Sequence, residues 1–285
     1  MKTAIVTDTA CNVTPELAED WDIHVLPLEI IFGETTYKEG FELPTEEFYK
    51  KMDTSDALPK TSQPNIAAAY ALYEELSEEY DEILSIHMSS DLSGTYQAFY
   101  AIADEIENVD ITLYDTKLVT VPARELVYHA KRLADEGKPA KEIVAQLDEI
   151  AKKVYTLFTV SSLENLVEGG RISSIAGAIV KFIKIKPVIS ITSEEIKMLS
   201  TVRSSKRALK KMEKKALKHI ESLDYPFKIM IGQGNHMKAA EKLRENLLKK
   251  FPNQIIEIQP ITAVVGVHTG SGAAGIVVAP DYSKM

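Results

Sequence analysis

Residues 3–7, Thr-Ala-Ile-Val-Thr, form a run of apolar and β-branched positions that ends at Asp8. Pro15-Glu16-Leu17-Ala18 then begins a 3.6-residue periodicity, with Thr14 placed to cap it. The same order of strand and helix recurs. A strand at 83–87 precedes a helix over about 93–106, and a strand at 111–114 precedes helical segments that run through 153. Strands alternating with helices at this spacing predict a parallel sheet covered on both faces. Beyond about residue 155 the texture changes, with strands at 155–160, 187–191 and 196–202 arriving closer together, the last two hairpin-like. A strand at 227–231, a helix at 236–250 and strands at 255–261 and 275–278 follow. The pattern predicts an α/β domain over 1–155 and a mixed-sheet α+β domain over 156–285, with the boundary near 153–160. No internal repeat is visible.

Two helical stretches carry unusual faces. Arg207, Lys210, Lys211, Lys214 and Lys215 surround Leu209, Met212 and Leu217, which at helical spacing gives one apolar and one basic face. That face is either ordinary solvated surface or a docking site for an acidic partner. The stretch 175–185 is expected to be a helix that is apolar nearly all round, more than one packed stripe requires. It is either core or the wall of a tunnel for a hydrocarbon, with Ile179, Phe182, Ile183 and the nearby Ile189 as candidate lining.

Composition narrows the class of protein. The 285 residues are 45% hydrophobic and 26% charged, the balance of a folded globular chain. A net charge of -9 argues against a nucleic-acid partner. Cys11 is the single cysteine, which excludes an intramolecular disulfide or a cysteine-rich metal site and fits a reducing, cytoplasmic setting. The segment after Met1-Lys2 is too short for the apolar core of a secretory signal, and no stretch reads as a transmembrane helix.

Candidate chemistry gathers at strand ends, where loop N–H groups and helix N-termini converge in open α/β sheets. Ser89, Ser90, Ser93 and Thr95 follow the strand at 83–87, and Gly94 lets a ligand approach the backbone. Hydroxyls, N–H groups and a helix dipole suit a carboxylate or phosphate, although Asp91 or Ser93 could equally serve only as a cap. Thr61 and Ser62 are expected at the start of a helix over 66–76, with Pro64 in its first turn. Val264 to Gly272 places His268 and Thr269 among glycines, as a ligand-facing or a purely structural histidine. Arg171 follows Gly169-Gly170 and is either an anion clamp or the partner of Glu168. There is no phosphate-binding Walker loop, no dinucleotide glycine fingerprint, no HExxH zinc motif and no nucleophile elbow at Ser93, so neither a metal nor a cofactor is expected.

Taken in order and spacing, "IVTDTA" (5–10), "TSQPN" (61–65), "SSDLSGTYQAF" (89–99), "GGRIS" (169–173), "IKPVI" (185–189) and "GVHTGSGAAG" (266–275) resemble the DegV family of bacterial fatty-acid-binding proteins. The resemblance implies the two-domain DegV-like (EDD) fold, with a long-chain, palmitate-like fatty acid between the domains and its acyl chain in the second. It implies a carrier and not an enzyme, presenting the carboxylate to a separate fatty-acid kinase that forms an acyl phosphate for phospholipid synthesis. Thr61, Ser93, Gly94 and His268 would bind the carboxylate. Ser62, Thr95, Asp8 and Arg171 would support it or face the kinase, and transient contact with a membrane surface is a further expectation. Thr9 stands where the family usually has Ser, and 115–122 lack the glycines expected there. The two-domain arrangement is also similar to dihydroxyacetone-kinase domains, so a small-molecule phosphotransfer enzyme is the competing reading.

Overall fold

The computed structural model describes residues 2–177 and 185–284. Its strands in chain order are β1 (Thr3–Asp8), β2 (His24–Leu26), β3 (Glu29–Phe32), β4 (Thr35–Lys38), β5 (Lys60–Ser62), β6 (Glu82–His87), β7 (Asp110–Asp115), β8 (Tyr155–Thr159), β9 (Lys186–Ile191), β10 (Ile196–Val202), β11 (Phe227–Gln233), β12 (Ile256–Pro260) and β13 (Ala274–Pro280). The helices are α1 (Pro15–Trp21), α2 (Thr45–Asp53), α3 (Ile66–Ser77), α4 (Thr95–Ala103), α5 (Val121–Asp135), α6 (Ala140–Ala151), α7 (Glu164–Glu168), α8 (Ser205–Ile220), α9 (Met237–Leu248) and α10 (Ala263–Thr269). They divide into two compact units. The first holds the residues up to Pro44 and Pro59–Ala151; the second holds Thr45–Leu58 and the residues from Lys152 onward.

The first unit is built on the parallel sheet β2-β1-β6-β7, as the alternation of strand and helix predicts. Every residue of β1 and β6 is buried, which a sheet covered on both faces requires. Tyr73 of α3 and Phe99 of α4 pack with Ala4, Val6 and Ile83. The alternate residues Ile5, Leu84 and Ile86 are buried too, and α5 and α6 pack against the same strands. In α5 the buried positions Ala123, Leu126, Val127, Ala130 and Leu133 recur at helical spacing. Thr14 caps α1 by accepting the Leu17 N–H at 3.3 Å.

A small antiparallel sheet, β4-β3-β5, lies outside what the hydrophobic pattern predicts, because its strands are too short to show a period. It relocates Thr61 and Ser62, which are strand residues paired with Ile30 and Glu29 and do not begin a helix. Asn65 caps α3 instead, its Oδ1 accepting the Ala68 N–H at 3.0 Å.

The second unit carries the mixed sheet β10-β9-β8-β13-β11-β12, antiparallel except for the β11–β12 pair. The expected 187–202 hairpin is β9–β10. One core unites Ala208, Met212, Ala216 and Ile220 of α8 and Leu243 and Leu247 of α9 with Leu157, Val188, Ile229, Ile231 and Ile276. The basic face of α8 leaves Lys206, Arg207, Lys210, Lys214 and Lys218 exposed. The expected helix over 175–185 does not begin where the apolar run does. Ile175 is extended, and Ala176 bridges to Lys197 before Gly177 turns with φ +78°. Ile179, Phe182 and Ile183 fall in 178–184, outside the described residues. Ile189 is fully buried in β9, paired with Phe158 and Met198.

The glycine-rich stretch 264–272, which places His268 and Thr269 among glycines, is helical as far as Thr269. Gly266 serves close approach: a Cβ there would stand 2.7 Å from both Phe48 Cε1 and Tyr49 Oη of α2. Phe48 and Tyr49 are buried and Tyr49 Oη donates to Ile261 O at 3.3 Å, which ties residues 45–58 to the second unit. Among the described residues no helix is long and apolar enough to cross a membrane. Gly266→Ala should overpack this contact and lower stability by about 1–3 kcal/mol, read as a lower urea midpoint at unchanged m-value.

Candidate functional site

In the first unit the strand ends meet at the turn after β6. Met88 N–H donates to Asp8 Oδ2 at 3.1 Å, Ser89 N–H to Leu118 O at 2.8 Å and Ser90 N–H to Asp115 Oδ1 at 3.2 Å. The turn then closes on itself. Asp91 N–H donates to Ser89 Oγ at 3.3 Å, and the Leu92 and Ser93 N–H groups both donate to Ser89 O. Six consecutive backbone donors are thus committed inside the protein. The next, Gly94 N–H, donates to no acceptor among the described residues and stands at the N-cap of α4.

The hydroxyls beside it are ordered. Ser93 Oγ accepts the Thr95 N–H at 3.2 Å and shares a hydrogen bond of 2.8 Å with Thr95 Oγ1, while Thr95 is fully buried. Ser93 therefore makes the local turn that a cap would make, and the N-cap itself is Gly94. The Gln63 side chain lies over Gly94, its Oε1 3.6 Å from where a Cβ would be. This contact brings the "TSQPN" segment, with Thr61 and Ser62 half-buried in β5, to the Ser93-Gly94 turn. Gln63 is a candidate site residue that the sequence reading passed over. Its signal was adjacency to Thr61 in a motif already singled out.

Behind the turn lies a buried relay that sequence reasoning also missed, because its members are scattered along the chain. Tyr73 Oη donates to Ser85 Oγ at 2.7 Å, Ser85 Oγ lies 2.8 Å from His87 Nε2, and His87 Nδ1 lies 3.0 Å from Asp8 Oδ2. Asp8 and His87 are both fully buried. Asp8, at the end of β1, thus accepts the Met88 N–H at the start of the turn. Burial and then the Asp8 carboxylate push the Cys11 thiol up, which keeps it an unreactive thiol at neutral pH. Thr9 Oγ1 donates to the buried Glu39 at 2.5 Å and accepts the Leu28 N–H at 3.0 Å, so its hydroxyl serves the fold.

In the second unit, α7 and α10 pack together. His268 lies in the last turn of α10, and a Cβ on Gly169 would collide with its Nδ1, so glycine lets the end of α7 approach the imidazole. Asn165 Nδ2 donates to Val267 O at 3.0 Å and joins the same two helices. Arg171 Nη1 donates to Gly169 O at 2.6 Å. Burial, and secondly the Arg171 charge, push His268 down to about 4. At neutral pH the imidazole is uncharged and offers one N–H donor and one acceptor.

Hydroxyl-bearing strand ends on a parallel α/β sheet, with an open N–H at a helix start, are an arrangement that suits an anion in α/β proteins. A family model described as "Uncharacterised protein, DegV family" matches residues 2–281. The DegV protein of Bacillus subtilis is 33% identical over 277 residues, 97% of this chain and 98% of that one. The crystal structure of DegV, a fatty acid binding protein from Bacillus subtilis, superposes with a TM-score of 0.88 over 99% of this chain and 100% of that one, at 33% identity. A fatty acid binding DegV family protein from Streptococcus agalactiae gives 0.87 at 30% identity, covering 99% of each chain. One from Thermus thermophilus gives 0.86 at 26% identity, over 99% of this chain and 100% of that one. The chain belongs to the DegV family.

Because folding depresses the His268 pKa from an ordinary 6.5 to about 4, the unfolded chain binds more protons between those values. The stability associated with His268 is fully present above pH 6.5 and is lost as pH falls towards 4, by up to about 3 kcal/mol. Burial lowers His24 and His219 in the same direction, so the test is a difference. His268→Gln should flatten the fall in unfolding free energy between pH 6.5 and 4 relative to the parent chain.

Proposed function

We propose that this protein is a cytoplasmic carrier that binds a long-chain, palmitate-like fatty acid and presents its carboxylate to a separate fatty-acid kinase. The kinase would form an acyl phosphate for phospholipid synthesis, and this chain would perform no catalysis itself. Thr61, Ser93, Gly94 and His268 would hydrogen-bond the carboxylate. Ser62, Thr95 and Asp8 would hold those groups in place, and Arg171 would serve the kinase or the phosphorylated product. Ile179, Phe182, Ile183 and Ile189 would line the acyl chain.

The observation that carries this reading is the Gly94 N–H at the start of α4, which has no acceptor among the described residues after six consecutive donors have been satisfied. An amide donor beside hydroxyls at a helix N-terminus favours an anion. The family places fatty acids among its ligands, as the Bacillus subtilis, Streptococcus agalactiae and Thermus thermophilus proteins are fatty acid binding. An uncharged His268 would contribute as a hydrogen-bond donor and not as an ion pair.

Magnitudes divide the labour between tail and head. A chain of about 15 methylenes contributes on the order of 12 kcal/mol gross at ~0.8 kcal/mol each, before ordering and association costs. A hydrogen bond to the charged head adds about 1.5–3 kcal/mol. The tail dominates affinity, and the head fixes orientation. Ser93→Ala and Thr61→Ala should therefore still co-purify with fatty acid, seen by native mass spectrometry, while kinase-dependent turnover of the bound lipid falls about tenfold or more. Equal and total loss of lipid and turnover would count against the division. An empty parent protein that phosphorylates a small hydroxyketone would replace the carrier with the phosphotransfer enzyme.

A further inference from the structure

We infer that Asp115 and Lys117 are positioning residues that lock the Ser89–Gly94 turn in the form that presents Gly94 N–H and Ser93 to an anionic head group. The inference rests on the head-group reading above and concerns residues that do not themselves touch the ligand. Asp115 ends β7, beside β6 in the parallel sheet. Its Oδ1 accepts both the Ser90 N–H at 3.2 Å and the Lys117 N–H at 2.9 Å, and its Oδ2 pairs with Lys117 Nζ at 2.8 Å. Lys117 Nζ also donates to Ser90 Oγ at 2.9 Å and lies 3.9 Å from Asp91 Oδ1. Ser90 is therefore held at its backbone by one member of the pair and at its hydroxyl by the other. Leu118 O, one residue further on, takes the Ser89 N–H. Asp115, Lys117 and Leu118 thus hold the turn from the end of β7 and the residues after it, and Asp8, at the end of β1, takes the N–H of the preceding Met88.

The backbone at Lys117 is one that glycine adopts more cheaply. Its φ is +55°, in the left-handed region, which costs a residue with a Cβ on the order of 1 kcal/mol and costs glycine almost nothing. Glycine would relieve that strain but could not reach Asp115 or Ser90. Thr120, at φ +57° and ψ -135°, repeats the pattern three residues later, donating its N–H to Ala10 O at 2.8 Å. A lysine in a glycine's conformation, with its ammonium on the turn that frees Gly94, is a lock made of side chains where a flexible hinge would otherwise stand. Burial would raise the Asp115 carboxyl, but hydrogen bonds from Lys117 and Ser90 hold it below the ordinary value, so the pair stays ionised through neutral pH.

Lys117→Gly separates positioning from folding, because it relaxes the backbone while removing the lock. The measurement is the ratio of affinities for palmitate and methyl palmitate, which share a tail and differ in the charged head. The parent chain should prefer palmitate. Lys117→Gly should keep its thermal midpoint and its affinity for methyl palmitate, while its preference for palmitate falls about tenfold, the loss of one charge-assisted bond's worth of order. Asp115→Asn should lower the preference in the same way, and Lys117→Arg should restore it. If Lys117→Gly keeps the parent's preference, or weakens both ligands equally, the lock is refuted and the head-group reading stands. A parent chain that fails to distinguish the two ligands overturns both.

Discussion

Backbone hydrogen-bond satisfaction at the carboxyl end of the parallel sheet is the constraint on which the site depends. A chain leaving a buried strand must find partners for its N–H groups, and an orphaned one costs about 1–3 kcal/mol. From Met88 to Ser93 this chain finds all of them internally, through Asp8, Leu118, Asp115 and Ser89. The result is a turn whose next N–H, that of Gly94, has no acceptor among the described residues. Each support in turn has its own reason to stay put. Asp8 is fixed by His87, His87 by Ser85, and Ser85 by Tyr73, whose ring packs edge-on with Phe99 of α4. Core packing and site geometry are in this sense one network.

The second unit meets a different constraint, the close approach of helices. Gly266 lets α10 settle on Phe48 and Tyr49, and Gly169 lets the end of α7 settle on His268. These glycines are packing devices more than turn formers. Burial produced this way keeps His268 uncharged, which changes what it can offer an anion from a cation to a single N–H.

Long periodic segments were legible in the sequence, and short or packing-driven ones were not. The parallel strands β1, β6 and β7 and the amphipathic helices α5, α8 and α9 declare themselves through residues such as Leu126, Met212 and Leu243, because burial on one face imposes a period. The three-residue strand holding Thr61 has no room for a period, and its partners are in β3, far away in sequence. The helix over Val264 to Thr269 was not legible because glycine is ambiguous on paper between flexibility and close contact; the neighbouring Phe48 resolves it. Ser93, Gly94 and Asp8 were readable as a strand-end group and Gln63 sat inside a motif already singled out, whereas His87, Asp115 and Lys117 take their roles from contacts that no local motif encodes.

The central claim is that the Gly94 amide receives a fatty-acid carboxylate. Its most direct test is the amide resonance of Gly94 in a two-dimensional 1H–15N spectrum of lipid-free, isotope-labelled protein, titrated with palmitate and, separately, with methyl palmitate. The account predicts a downfield shift of the Gly94 amide proton with palmitate that methyl palmitate does not reproduce, since only the acid carries a charged acceptor. A Gly94 amide that stays in place while palmitate binds, or that moves identically with the ester, would contradict it.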